Sequence, residues 1–260
     1  MVPVAILKQF SADHLKVRIM DTRDSMGYEA AKDAADCLRA LLAQKETVNV
    51  IFAAAPSQNE TLYHLTLQEG IDWSRVNAFH MDEYIGLPAG SPQAFGNYLY
   101  EHIFSKVPFG AIHYLNAQTN DAKAECARYS QLLKDHPVDM VCLGIGENGH
   151  IAFNDPWVAD FADPELVKIV PLDPVCRQQQ VNDGCFESLD QVPTHAMTLT
   201  IPALANAAHL FCTVPAATKA WAVEHTIQDE VSAKVPATVM RNHPDATLYC
   251  DPASGANVLK

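Results

Sequence analysis

The chain is short of positive charge: 18 lysines and arginines stand against 31 aspartates and glutamates in 260 residues, a formal net charge of −13. Most of such a surface repels phosphate backbones and anionic lipid head groups. General binding of nucleic acid or of a membrane surface is therefore excluded, and any anionic partner must sit in a locally positive pocket. No apolar run reaches the roughly 20 residues that span a bilayer. The opening Met1–Lys8 has no basic stretch followed by a cleavable apolar core, so the expected location is cytoplasmic. The seven cysteines (37, 126, 142, 176, 185, 212 and 250) are odd in number and contain no C-x-x-C pair. Cys142 and Cys212 lie inside apolar runs, which points to buried reduced thiols and not to disulfides or a thiolate metal site. Linkers, internal repeats and shifts of composition are also missing, so residues 1–260 are read as one domain. With 48% hydrophobic residues, the chain can fill one large core. Its folded surface should be roughly 11,000 Å².

Short β-branched apolar runs alternate with stretches of helical period, the pattern of a mostly parallel sheet flanked by helices. The fold class expected is α/β, a three-layer Rossmann-like arrangement. Strands are predicted at Thr47–Ala54, Val76–Met81, Ile112–Leu115, Val138–Leu143, Val167–Leu172, Ala196–Ile201, His209–Val214 and near Thr247–Cys250. Most are apolar at consecutive positions, as strands covered on both faces are. Helices are predicted at Tyr28–Ala43, Gln58–Gln68, Gln93–Lys106, Ala122–Lys134 and Ala217–Gln228, with Ser91-Pro92 read as a helix start and Gly70 as a helix stop. Residues 154–164 carry no periodic pattern and are expected to be irregular.

In open α/β sheets, ligands sit beyond the carboxyl ends of the strands, and four such junctions carry unusual chemistry. After the first predicted strand, Ser57 precedes Glu60 by three residues, the spacing of a capping box at a helix start that also suits an anion. A simple cap reads equally well there. After the second, Asp82 and Glu83 stand side by side. Two buried neighbouring carboxylates raise one another's pKa and supply a proton acceptor, unless one is merely solvated. His80 beside them reads as a core histidine. After Val138–Leu143 comes Gly144-Ile-Gly-Glu-Asn-Gly-His-Ile-Ala-Phe-Asn-Asp-Pro156, which holds three of the chain's eleven glycines within six residues. Glycines there let backbone approach a ligand closely. His150 follows, flanked by Asn148 and Asp155, and a histidine beside a carboxylate can move protons near neutral pH. The spacing is not that of a dinucleotide fingerprint. The fourth junction places Lys219 in the first turn of a helix, where the dipole disfavours a cation unless an anion binds both; a solvent-facing lysine is the alternative.

Together, Asn77-Ala-Phe-His-Met-Asp-Glu-Tyr-Ile-Gly-Leu87, the glycine-rich block 144–156, Gln191-Val-Pro193 and Lys219 resemble, in order and spacing, the glucosamine-6-phosphate deaminase/isomerase family, whose fold is shared with 6-phosphogluconolactonases. Met81-Asp-Glu-Tyr84 favours the deaminase branch. The resemblance implies an enzyme whose substrate is a small sugar phosphate, with His150 assisting ring opening, Asp82 moving a proton between C1 and C2, and Asp155 and Asn148 partnering the histidine. It implies that Ser57 and Lys219 bind the phosphate and that Glu83, Gly146 and Gly149 contact substrate. No metal or organic cofactor is implied, and a homo-oligomer stays open. Three departures stand out. Ala54-Ala-Pro-Ser57 replaces a glycine-rich phosphate loop, Asn182 occupies the place expected for a phosphate-binding arginine, with Arg177 or Arg241 as potential substitutes, and Asp155 replaces a glutamate. A lactonase and a non-catalytic sugar-phosphate sensor are the rival readings; no basic helix-turn-helix segment favours the sensor.

Overall fold

The computed structural model describes residues 4–88 and 90–259. Its centre is an eight-stranded sheet in the order β1(Ile6–Ala12), β2(Leu15–Met20), β11(Ala246–Cys250), β10(His209–Val214), β7(Met140–Leu143), β3(Val48–Phe52), β4(Val76–His80) and β6(Ala111–His113). Every neighbouring pair is parallel except the β1–β2 hairpin. A smaller antiparallel sheet runs β5(Asp82–Tyr84), β9(His195–Leu199), β8(Val167–Pro171). The helices are α1(Arg23–Leu42), α2(Asn59–Thr66), α3(Phe95–Leu99), α4(Ala122–Asp135), α5(Pro174–Asn182), α6(Ile201–Ala205) and α7(Ala220–Gln228).

The central strands are buried on both faces because their side chains feed two cores. Along β3, Val48, Val50 and Phe52 pack into one and Ile51 into the other; β7 sends Met140 and Cys142 one way and Val141 and Leu143 the other. That is the period-two alternation of a strand, here with apolar residues on both sides. The helices lie over these two apolar faces, giving the three layers expected. The accessible surface, 10707 Å², agrees with the roughly 11,000 Å² expected of a chain this size. All seven cysteines are free thiols, and five of them are buried. Among the described residues, no helix is long and apolar enough to cross a membrane.

From β3 the chain winds outward through β4 to β6, then returns to place β7 on the other side of β3. The loops leaving β3 and β7 therefore diverge and open a crevice at the switch point between them.

Several expectations need correction. The hairpin β1–β2 and helix α5 were not anticipated. Ser57 does not cap α2: it lies in a 3-10 turn, Pro56–Gln58, without a capping bond, and Glu60 pairs instead with the guanidinium of Arg23 at 2.9 Å. Ser91-Pro92 belongs to a turn. The predicted helix Gln93–Lys106 begins only at Phe95 and widens after Leu99 into a π-helical turn, Tyr100–Phe104. Helix α1 starts at Arg23, ahead of the predicted Tyr28, because Thr22 and Ser25 form a reciprocal capping box. Residues 154–164 are irregular, as expected.

Candidate active site

The crevice at the switch point is a solvent-open cavity whose lining includes Ser57, Asp82, Phe95, Gly144, Gly146, His150, Gln179, Gln180 and Lys219. Each side chain arrives by a traceable route.

Asp82 is the first residue of β5, which pairs antiparallel with β9 as Asp82↔Thr198. Successive residues on a strand face opposite ways. Asp82 faces the cavity, 6% exposed, and its carboxylate has no hydrogen bond among the described residues. Burial, with the neighbouring Glu83 charge, holds its pKa well above the usual aspartate range. Glu83 turns away from the cavity. Its carboxylate accepts N–H bonds from Tyr84 (2.9 Å), Phe95 (3.1 Å) and Gly96 (3.0 Å), so it fixes the start of α3. Burial pushes its pKa up to about 7, with the three N–H donors pulling the other way. The expected substrate contact at Glu83 is thus replaced by a backbone anchor. His80 is a satisfied core residue: Nδ1 donates to Asp82 O (3.0 Å), Nε2 accepts from Leu115 N (2.9 Å), and burial lowers its pKa to about 4.

The glycine-rich segment leaving β7 builds the opposite wall. Gly146 N donates to His150 O (2.9 Å), folding the segment so tightly that a Cβ at 146 would overlap the His150 imidazole. Only glycine leaves room for the ring. Gly149 lies outside the cavity: its φ of +84° closes the turn, and a Cβ there would meet Val235 Cγ1 at 2.7 Å. The His150 ring is set from behind. Nδ1 lies 2.7 Å from Asn148 Oδ1 and 3.1 Å from Asp155 Oδ1, and Asn148 Nδ2 donates to that same Asp155 oxygen at 2.9 Å. Two acceptors at Nδ1 require the proton there, an assignment from the hydrogen-bond network, and leave Nε2 as the free base. Asp155 is fully buried, which alone would raise its pKa, yet bonds from His150, Asn148 and the Asp173 N–H outweigh burial and keep the pKa below the usual range. A fixed negative charge thus stabilises a ring that gains a proton.

Lys219 ends a 3-10 turn, Ala217–Lys219, that leads into α7. The turn is set by Ala216, held at φ 83° with its N–H on Asp251 Oδ2 (3.0 Å). Lys219 is 4% exposed, its ammonium has no partner among the described residues, and burial lowers its pKa against the opposing charges of Asp183 and Glu147. Among the described residues it is the only lysine or arginine lining the cavity. Arg177 instead donates to Leu189 O and Val192 O, each at 2.7 Å, and Arg241 to Asp13 Oδ2 at 2.7 Å, so neither substitutes for a phosphate clamp. Asn182 is exposed and bonded to Gln178.

Three glutamines were missed. Gln58 ties the loop after β3 to strand β10: Nε2 donates to Ser57 Oγ and Thr213 O, each at 3.2 Å, and Oε1 accepts from Thr213 Oγ1 at 3.0 Å. Gln179 accepts the Glu147 N–H (2.9 Å), pinning the glycine-rich loop, while the buried side chain of Gln180 lines the cavity without a partner among the described residues. The run Gln178-Gln-Gln180 was the available signal, but a polar helix reads as a solvated one.

Residues 21–160 match the family described as glucosamine-6-phosphate isomerases/6-phosphogluconolactonase. A glucosamine-6-phosphate deaminase from Listeria monocytogenes is 38% identical over 204 residues, 78% of this chain and 85% of that protein. One from Streptococcus sanguinis is 33% identical over 224 residues, covering 86% and 92%. The fold superposes on a monomeric glucosamine-6-phosphate deaminase with a TM-score of 0.84, at 26% identity, over 92% of this chain and 98% of that one. A 6-phosphogluconolactonase from Thermotoga maritima shares the fold, with a TM-score of 0.73 at 20% identity over 90% and 98%. On the extent of these matches, the chain belongs to the glucosamine-6-phosphate isomerase/6-phosphogluconolactonase family.

Proposed function

We propose that the protein is an amino-sugar-phosphate deaminase: it converts glucosamine 6-phosphate, or an epimer, to the ketose 6-phosphate and ammonia. The observation that carries this reading is a buried, unpartnered Asp82 carboxylate in the same cavity as a His150 ring whose free Nε2 is backed by Asn148 and Asp155. Two separately placed proton carriers are what a ring opening followed by an aldose–ketose shift requires.

The phosphate lies against Lys219, Ser57 and the amide of Gln180, which leaves the sugar between Asp82 and His150. His150 Nε2 relays the proton that leaves the anomeric hydroxyl to the ring oxygen, and the ring opens to the amino-aldehyde. Asp82 takes the proton from C2 while the C1 oxygen gains one from the substrate ammonium, giving the 1,2-enolamine; returning the proton to C1 leaves a hydroxymethyl group there and forms a carbon–nitrogen double bond at C2. Water adds there, and ammonia departs with the proton it needs. Each positioned acid or base contributes roughly 10²–10⁴ in rate. A raised pKa makes Asp82 a stronger base once ionised, and Asp155 spares His150 the cost of carrying charge in a buried place. The backing of Nδ1 recovers from Asn148 and Asp155 what a longer acid would supply, so the shortened side chain at 155 is reconciled with the reading.

The test is release of ammonia by purified protein from glucosamine 6-phosphate and galactosamine 6-phosphate. Turnover of either supports the proposal. Hydrolysis of 6-phosphogluconolactone with no ammonia from any amino-sugar phosphate overturns it in favour of the lactonase reading.

A further inference from the structure

Behind His150 lies a side chain that these proton transfers do not use. Cys176, in the first turn of α5, is 1% exposed. Its Sγ, a ring nitrogen of His150 and a carboxylate oxygen of Asp155 all lie within 4.8 Å of one another. The face of the ring turned to Asp155 is Nδ1, at 3.1 Å, and the amide oxygen of Asn148 lies 2.7 Å from the same nitrogen. Imidazole, thiol, carboxylate and amide oxygen therefore converge on one buried point.

We propose that this point is an inhibitory site for a thiophilic divalent cation, with Zn²⁺ as its representative. Sulfur and imidazole together select borderline or soft ions, whereas Mg²⁺ and Ca²⁺ want six or more oxygens. Bonds of about 2.0–2.3 Å in a tetrahedron set ligand atoms about 3.3–3.8 Å apart. The oxygens beside Nδ1 need move outward by less than about 1 Å, and the sulfur inward by no more than about 1.3 Å, to meet that geometry. On binding, the metal takes the lone pair of Nδ1 and the thiolate of Cys176. The ring proton moves from Nδ1 to Nε2 by exchange with solvent, and the thiol proton is released to solvent. Nothing is oxidised or reduced. A neutral ring bound through Nδ1 carries its hydrogen on Nε2, so it can donate there but no longer accept. The ion thus removes the free base that ring opening requires, without entering the sugar cavity.

The binding test uses the full-length protein and Co²⁺ as a spectroscopic stand-in for Zn²⁺. A thiolate-to-cobalt charge-transfer band should saturate at one ion per chain and be displaced by Zn²⁺. Zn²⁺ should also suppress ammonia release, reversibly with a chelator. Cys176→Ser should abolish the band and weaken Zn²⁺ inhibition at least about 10-fold, since even groups outside the ligand set commonly cost that much. Its metal-free turnover should match the parent. Cys176→Ala serves if the serine variant folds poorly. Cys185, the thiol lining the neighbouring cavity, provides the control: Cys185→Ser should change neither readout. No band in the parent, a band that survives in both Cys176 variants, or one lost in Cys185→Ser overturns the site. The cobalt band needs no substrate, so a failure of the deaminase reading, seen as metal binding without ammonia release, is distinguishable from a failure of this one.

Discussion

At the scale of single residues, the site depends on where protons are held. The pKa of Asp82 is raised by burial and by Glu83, so the folded chain holds this proton more tightly than the unfolded chain, whose value is near 3.8. Between 3.8 and the raised value the unfolded state gives up the proton first. Stability therefore falls as pH climbs through that window, and Asp82 ionised at neutral pH is a destabilising group. Asp82→Asn should lower turnover by about 10²–10⁴ while leaving phosphosugar binding intact, and should raise the melting temperature at neutral pH. The thermal gain should shrink as the pH is lowered toward 4, where both forms are neutral. A melting temperature that drops at neutral pH would contradict this account, and near-normal turnover would remove Asp82 as the base. Gly146→Ala probes the histidine by sterics alone. The new methyl overlaps the imidazole, so the ring must swing out, and a misplacement of about 1 Å is enough to cost about 10²-fold. Far-UV circular dichroism should be unchanged while kcat falls.

At the scale of elements, the short strand β5 holds Asp82, the proposed base, on one side and an anchor, Glu83, on the other. Removing the anchor, Glu83→Ala, leaves the N–H groups of Tyr84, Phe95 and Gly96 buried without their acceptor. The loss should be at least about 2 kcal/mol, read from the urea midpoint at constant slope. How legible the elements were follows from their burial. Strands β3, β4, β7 and β10 are apolar on both faces and announce themselves. The hairpin did not: Ile6-Leu-Lys-Gln-Phe-Ser-Ala12 is an edge strand, largely exposed, with no clean alternation, and its turn runs through Asp13 at φ 51° and not through the glycine that would signal it. Helix α5 escaped for the opposite reason. Its buried face is Cys176, Gln179 and Gln180, and the two glutamines are there to line the crevice and brace the glycine-rich loop, so no apolar stripe marks the helix. The site itself was legible wherever chemistry dictates residue type, at Asp82, His150, Asn148, Asp155 and Lys219. It was not legible at Glu83, where only strand pairing reveals which of two adjacent acids faces the ligand.

At the scale of the whole molecule, a chain with a net charge of −13 sets one buried ammonium, that of Lys219, in the crevice where the proposed reading puts the phosphate. Lys219→Ala should raise KM for phosphorylated sugars about 10–150-fold, the equivalent of a charge-assisted hydrogen bond worth about 1.5–3 kcal/mol, and leave kcat much less affected. An unchanged KM would place the phosphate elsewhere. The same long view gives a second meaning to the order of the central sheet. Strand β2, near the beginning of the chain, joins the sheet only through β11, near its end, with Lys16 set against Thr247 and Leu248 filling the gap beside Val17. The β1–β2 hairpin therefore has no other sheet partner until a strand more than 200 residues further along the chain is in place. Closing such a contact is slow because the intervening chain must be ordered first. Docking of β11 is thus the long-range step that closes the sheet beside the buried Leu15, Val17 and Ile19.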